Sequence, residues 1–169
     1  MKKRLTIIQM DVHVNDVEYN YTRVQELLSQ SLSEHPDIIV LPETWNTGFY
    51  PSKELINIAD RNGERTQSLL STFAKEHNVN IVGGSVAVAK NDVVFNTSYA
   101  YNREGTLVGE YSKMHGFSPA KEDQYFAGGT HTTHFELDGI PCSTVICYDI
   151  RFPELVRMAA LPNTELLFV

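Results

Sequence analysis

Short apolar runs alternate with helical repeats along the first half of the chain, and strand pairs take over in the second. Leu5 to Met10 reads as a buried strand. After it, Asn15 or Asp16 can cap a helix in which Tyr21, Val24, Leu28 and Leu32 recur at helical spacing, to about Ser33. Asp37 to Leu41 is a short apolar strand stopped by Pro42. Leu69, Leu70, Phe73 and Ala74 mark a second amphipathic helix ending near His77-Asn78, and Asn80 to Val86 reads as a third core strand.

Hairpins follow. Phe95 to Tyr101 and Thr106 to Tyr111 flank the turn Asn102-Arg103-Glu104-Gly105. His131 to Leu137 and Ile140 to Ile146 flank Asp138-Gly139, a strong two-residue hairpin signal. The β-branched run at the end of this last strand delivers Cys147 to a change of pattern from strand to helix, with Pro153 and Glu154 in the first helical turn. That helix extends to about Leu161, and Glu165 to Val169 begins another apolar strand. The alternation predicts an α/β layered domain with a mixed sheet.

With 169 residues, 42% hydrophobic and 21% charged, the chain fits one soluble globular domain. Its net charge of −7 argues against binding nucleic acid or an anionic membrane, either of which needs a basic patch. Met1-Lys2-Lys3-Arg4 resembles the start of a signal peptide, but the apolar run behind it is interrupted by Gln9 and stops at Asp11. No later run is long enough for a membrane span, so a cytoplasmic protein is expected. Cys142 and Cys147, five residues apart on a strand, would lie about 16 Å apart. A disulfide tolerates less than about 7 Å, so both thiols are expected free.

Four residues could carry chemistry. Cys147 sits where a strand-to-helix turn lifts a side chain out of the sheet and aims backbone N–H groups at whatever it attacks. Taken alone, it reads more readily as a small buried hydrophobe. Glu43 follows the strand Val40-Leu41, at the end where open α/β sheets meet ligands, and could be a general base or a solvated loop residue. Lys113 leaves the second hairpin strand; near a thiol its ammonium would favour the thiolate and stabilise an oxyanion, whereas alone it reads as a surface charge. Glu122, in a loop, stands the same way. Glu43, Lys113 and Cys147 each follow a strand end, and strand ends can meet at one rim of a sheet sandwich. His131 and His134 suit surface positions better than a metal site, Gly83-Gly84 and Gly128-Gly129 suit turns, and the tyrosines suit a core.

Leu41-Pro42-Glu43, Lys113-Met114-His115 and Cys147-Tyr148-Asp149-Ile150-Arg151-Phe152-Pro153-Glu154 resemble, in order, the three signatures of the nitrilase superfamily, the carbon–nitrogen hydrolases. Leu5 to Gln9 and Gly83-Gly84-Ser85 fit its early strands, and Glu43-Thr44-Trp45-Asn46 is most similar to the omega-amidase branch. The resemblance implies an αββα sandwich and a Glu43–Lys113–Cys147 triad cleaving a small linear amide to carboxylate and ammonia through a thioester. Lys113 and the backbone N–H of Tyr148 would hold the oxyanion, and Glu122 would assist. It implies no metal or organic cofactor, a small-molecule amide substrate, and a homodimer or larger assembly. A nitrile or an N-carbamoyl amine is the alternative substrate; an inactive interaction subunit is the alternative role.

Two departures modify the expectation. Gly116 stands where the family commonly has leucine, which would loosen a loop near the pocket. Residues 1–169 also correspond to the N-terminal portion of the family's domain, so a C-terminal part that completes the sandwich and one pocket wall is expected to be missing. An unpaired edge and exposed apolar faces would then favour association.

Overall fold

A computed structural model describes residues 2–161 and 163–169; Met1 and Pro162 lie outside the described residues. The larger of two sheets contains β1 (Leu5–Ile7), β2 (Ile38–Val40), β3 (Asp60–Arg61), β4 (Asn80–Val82), β5 (Val86–Lys90), β6 (Val93–Tyr101) and β7 (Leu107–Ser112). Its order is β1-β2-β4-β6-β5-β3, with β7 on the other edge of β6. The smaller sheet has the order β10-β9-β8, from β8 (Thr133–Leu137), β9 (Ile140–Thr144) and β10 (Leu166–Phe168).

Four layers account for the apolar pattern. On the central strands Ile39, Ile81, Tyr99 and Tyr101 pack with Tyr21, Val24 and Leu28 of α1 (Val17–Ser31) and with Leu70 and Phe73 of α3 (Glu64–His77). The alternate residues Ile38, Val82 and Ala100 point the other way, onto Phe135, Leu137, Cys142 and Phe168 of the small sheet. Strands buried on both faces read as continuous apolar runs, as these do. Leu155 and Ala159 of α4 (Pro153–Ala160) cover the far side against Val145. The expected αββα order is therefore present.

Asp16 caps α1, its carboxylate accepting from the Tyr19 N–H, and Asp138 and Gly139 both take positive φ in the β8–β9 hairpin. Three expectations need correction. Asn80 to Val86 is two strands: the chain breaks at Gly83-Gly84-Ser85, and β4 and β5 pair antiparallel with opposite halves of β6. Gly84 has φ +57, and a side chain there would collide with the backbone of Leu41 and Pro42. The first strand ends at Ile7 and is not buried, since among the described residues β1 pairs only with β2 and Ile7 is left 73% exposed. The pattern also missed α2 (Leu55–Ile58) and β3, which are too short to show a period.

An apolar cleft of about 630 Å³ separates β1 from β10, lined by Leu5, Ile7, Ile8, Val40, Leu166 and Phe168 among others. No described helix is long and apolar enough to cross a membrane.

Candidate active site

The strand ends do meet at one rim. Glu43 lies three residues beyond β2, in a turn pinned to β5. The Pro42 carbonyl accepts from the Ser85 N–H at 3.0 Å, and the Ser85 hydroxyl accepts from the Thr44 N–H at 3.0 Å. Trp45 is fully buried with its indole N–H on the Gly83 carbonyl at 2.9 Å. Asn46 bonds both the N–H and the carbonyl of Ala87, at 2.8 and 3.1 Å, as a strand residue would. The residues after Glu43 thus hold its backbone rigidly.

Lys113 directly follows β7. Its N–H bonds the Asn96 carbonyl and its carbonyl accepts from Gly129, at 2.9 and 2.8 Å. The side chain, far from being a surface charge, is 2% exposed and donates to Glu43 Oε1 at 2.8 Å and Glu122 Oε2 at 2.7 Å. Glu122 is equally buried, at the start of a 3-10 turn, and also accepts from the Phe117 N–H at 2.7 Å. Burial alone would lower the Lys113 pKa, but the hydrogen bonds to Glu122 and Glu43 outweigh it and hold the ammonium above its ordinary value. Lys113 therefore stays charged at neutral pH.

Cys147 opens a second 3-10 turn, Cys147–Arg151, and α4 begins at Pro153, where the helix was expected. The residue is exposed, with φ +46, a left-handed conformation that non-glycine residues take at a cost. Partial desolvation, then the charge and hydrogen bond of Glu43, push its thiol up to about 11, and the attraction of Lys113 does not offset them. Lys113 favours the thiolate, as expected, but is outweighed, and a thiol raised in this way needs a base to remove its proton, the part expected of Glu43.

Asp149 locks this turn. It is fully buried, and its carboxylate accepts from Tyr111 Oη at 2.7 Å, the His115 N–H at 2.9 Å and the Ile146 N–H at 3.2 Å; His115 Nδ1 is 2.9 Å away. His115 stacks on Phe152 with ring centroids 3.6 Å apart. One side chain thus ties the cysteine turn to the β7 strand and loop that carry Lys113. Sequence reasoning missed it, although an acidic residue two places after a candidate nucleophile was a visible signal. It also missed Asn96, which donates to both Glu43 and Glu122.

The expected looseness at Gly116 is not found: an ideal Cβ there would lie 3.0 Å from the Asp123 backbone nitrogen, so the absent side chain allows close packing. His131 and His134 are exposed, and no metal-binding cluster occurs among the described residues. Between Glu43 and Cys147 opens a cavity of about 290 Å³, also lined by Ser85, Thr144 and Val145. A carboxylate and a thiol at one small pocket, with a buried ammonium bonded to the carboxylate from behind, can support acyl transfer.

The family model for carbon–nitrogen hydrolase matches residues 4–169. The chain belongs to the carbon–nitrogen hydrolase family. It is 40% identical to a 2-oxoglutaramate amidase of Bacillus subtilis, covering all of this chain and 64% of that protein. An omega-amidase of Danio rerio is 33% identical over 98% of this chain and 62% of its own length. A CN-hydrolase superfamily protein from Xanthomonas campestris, solved with an arsenic adduct in its active site, is 30% identical with a TM-score of 0.80, covering 90% of this chain and 56% of that one. An amidase from a Nesterenkonia species shares the fold, with a TM-score of 0.86 at 21% identity over 98% of this chain and 63% of its own. The carbon–nitrogen hydrolase chain thus spans about 64% of the length of the first curated relatives it matches.

Proposed function

We propose that this carbon–nitrogen hydrolase cleaves a small linear amide to carboxylate and ammonia through a thioester on Cys147. The supporting observation is that Cys147 and Glu43 line one small cavity, with Lys113 fixed between Glu43 and Glu122. Glu43 takes the thiol proton as Sγ bonds the amide carbon. Lys113 and the Tyr148 N–H stabilise the charge on the carbonyl oxygen. When the C–N bond breaks, Glu43 hands its proton to the departing nitrogen, and ammonia leaves. Glu43 then takes a proton from water as water attacks the thioester, and returns it to sulfur as the S–C bond breaks. Glu122 assists by holding the Lys113 ammonium in place.

The cavity volume suits a small substrate. The names of the Bacillus subtilis and Danio rerio relatives favour an amide bearing a carboxylate at its other end. The proposal extends to a cytoplasmic protein with one carbon–nitrogen hydrolase domain that works as a homodimer or larger assembly. Incubation with a panel of linear amides, nitriles and N-carbamoyl amines, with released ammonia measured, tests the substrate class. Turnover of amides is expected; turnover confined to nitriles or N-carbamoyl amines would overturn it.

A further inference from the structure

β6 buries a polar residue in its interior. Asn96 is 1% exposed, at a strand position where amide side chains are disfavoured. Burial of a primary amide is costly unless its hydrogens find acceptors. Here Nδ2 donates to Glu43 Oε1 at 2.9 Å and to Glu122 Oε1 at 3.1 Å. One NH2 carries two donors and so can serve two carboxylates. Lys113 Nζ bridges the same pair from its side, and the Lys113 N–H bonds the Asn96 carbonyl. The four side chains close a ring in which two carboxylates share one ammonium and one neutral amide. The amide oxygen has no partner among the described residues, so what the side chain contributes comes from its nitrogen.

We infer that Asn96 is a positioning residue that fixes the rotation of the Glu43 carboxylate. Lys113 and Asn96 both hold Oε1, which leaves Oε2 free of these bonds and available to the Cys147 thiol. The lysine contact alone is a single pivot about which the carboxylate can swing; a second donor on the same oxygen removes that freedom. An aspartate at this position would set a third carboxylate against one ammonium, and an alanine would leave each glutamate one donor short. The inference rests on Glu43 acting as the base toward Cys147.

Iodoacetamide alkylation mapped to Cys147 by mass spectrometry tests it without amide turnover. Asn96→Ala should slow the reaction about tenfold at neutral pH, the scale of one lost charge-assisted bond. Glu43→Gln should slow it at least as much, because losing the base beside the thiol outweighs the lower thiol pKa left when the carboxylate charge is gone. The double variant should be slowed no further than Glu43→Gln alone, because Asn96 acts through Glu43. Effects that multiply, or a wild-type rate in Asn96→Ala, would overturn the assignment. Should Asn96→Ala fail to fold, Asn96→Asp decides. Its rate relative to wild type should rise as pH falls, since a protonated carboxyl regains a donor, whereas a ratio independent of pH would overturn the role. Thioester formation measured alongside keeps the two proposals apart. No thioester with a non-multiplying cycle sinks the amidase proposal alone; a thioester with a multiplying cycle sinks the Asn96 assignment alone.

Discussion

Cys142 and Cys147 stand at the two ends of one short stretch, and both thiols are pushed up to about 11. Cys142 lies in the core between the sheets, where burial comes first among the causes and its Sγ donates to the Ile140 carbonyl at 3.2 Å. Cys147 lies at the rim, exposed, with Glu43 beside it and a positive φ that turns it out of the sheet. Thiol acidity therefore does not tell the two apart. Placement does: Cys147 lines a cavity together with Glu43, whereas Cys142 is closed in between the two sheets.

Removing each side of this contrast gives effects of decreasing size. Cys147→Ala should abolish covalent capture of amides and lower ammonia release by about 10⁴-fold or more, whereas Cys142→Ala should leave both intact. Glu43→Gln should cost about 10²- to 10⁴-fold in turnover, because the thiol must be deprotonated during attack; a loss below threefold would mean that Cys147 reacts without its base. Asp149→Ala should leave Tyr111 Oη and the Ile146 N–H without their acceptor and destabilise the chain by about 2–3 kcal/mol in denaturant unfolding, with Cys147 losing reactivity as its turn relaxes.

The smallest effect is on pH. A thiol whose pKa is raised on folding stabilises the native state fully below its unfolded value near 9. That contribution fades as pH rises toward about 11, because the unfolded chain loses its proton first. Stability should thus decline between these pH values, and Cys142→Ala, at about 1 kcal/mol of overall cost, should decline less steeply. Equal slopes in the two proteins would remove the buried thiol from the comparison.

The layers were legible because apolar residues alternate between two buried faces, as Ile38 and Ile39 do, and because Asp16 and Asp138-Gly139 carry their own local signals. The split of β4 from β5 was not, since it depends on the Leu41–Pro42 backbone crossing Gly84 from far away in sequence. At the site, motif order brought out Glu43, Lys113, Cys147 and Glu122. The burial of Lys113 and Glu122 was hidden, because either one alone reads as a solvated charge until the partner that neutralises it is in place. Asn96 and Asp149 matter through tertiary contacts alone, though an asparagine between Phe95 and Thr97 in a β-rich run hints at an inward amide.

Intact-mass analysis of the chain after brief exposure to a small linear omega-amide is the most direct test of Cys147 as nucleophile. An added mass equal to the amide less ammonia is expected, mapped to Cys147, decaying with time and absent from Cys147→Ala. A folded chain that forms no such adduct with any linear amide, or releases ammonia equally well as Cys147→Ala, would contradict it.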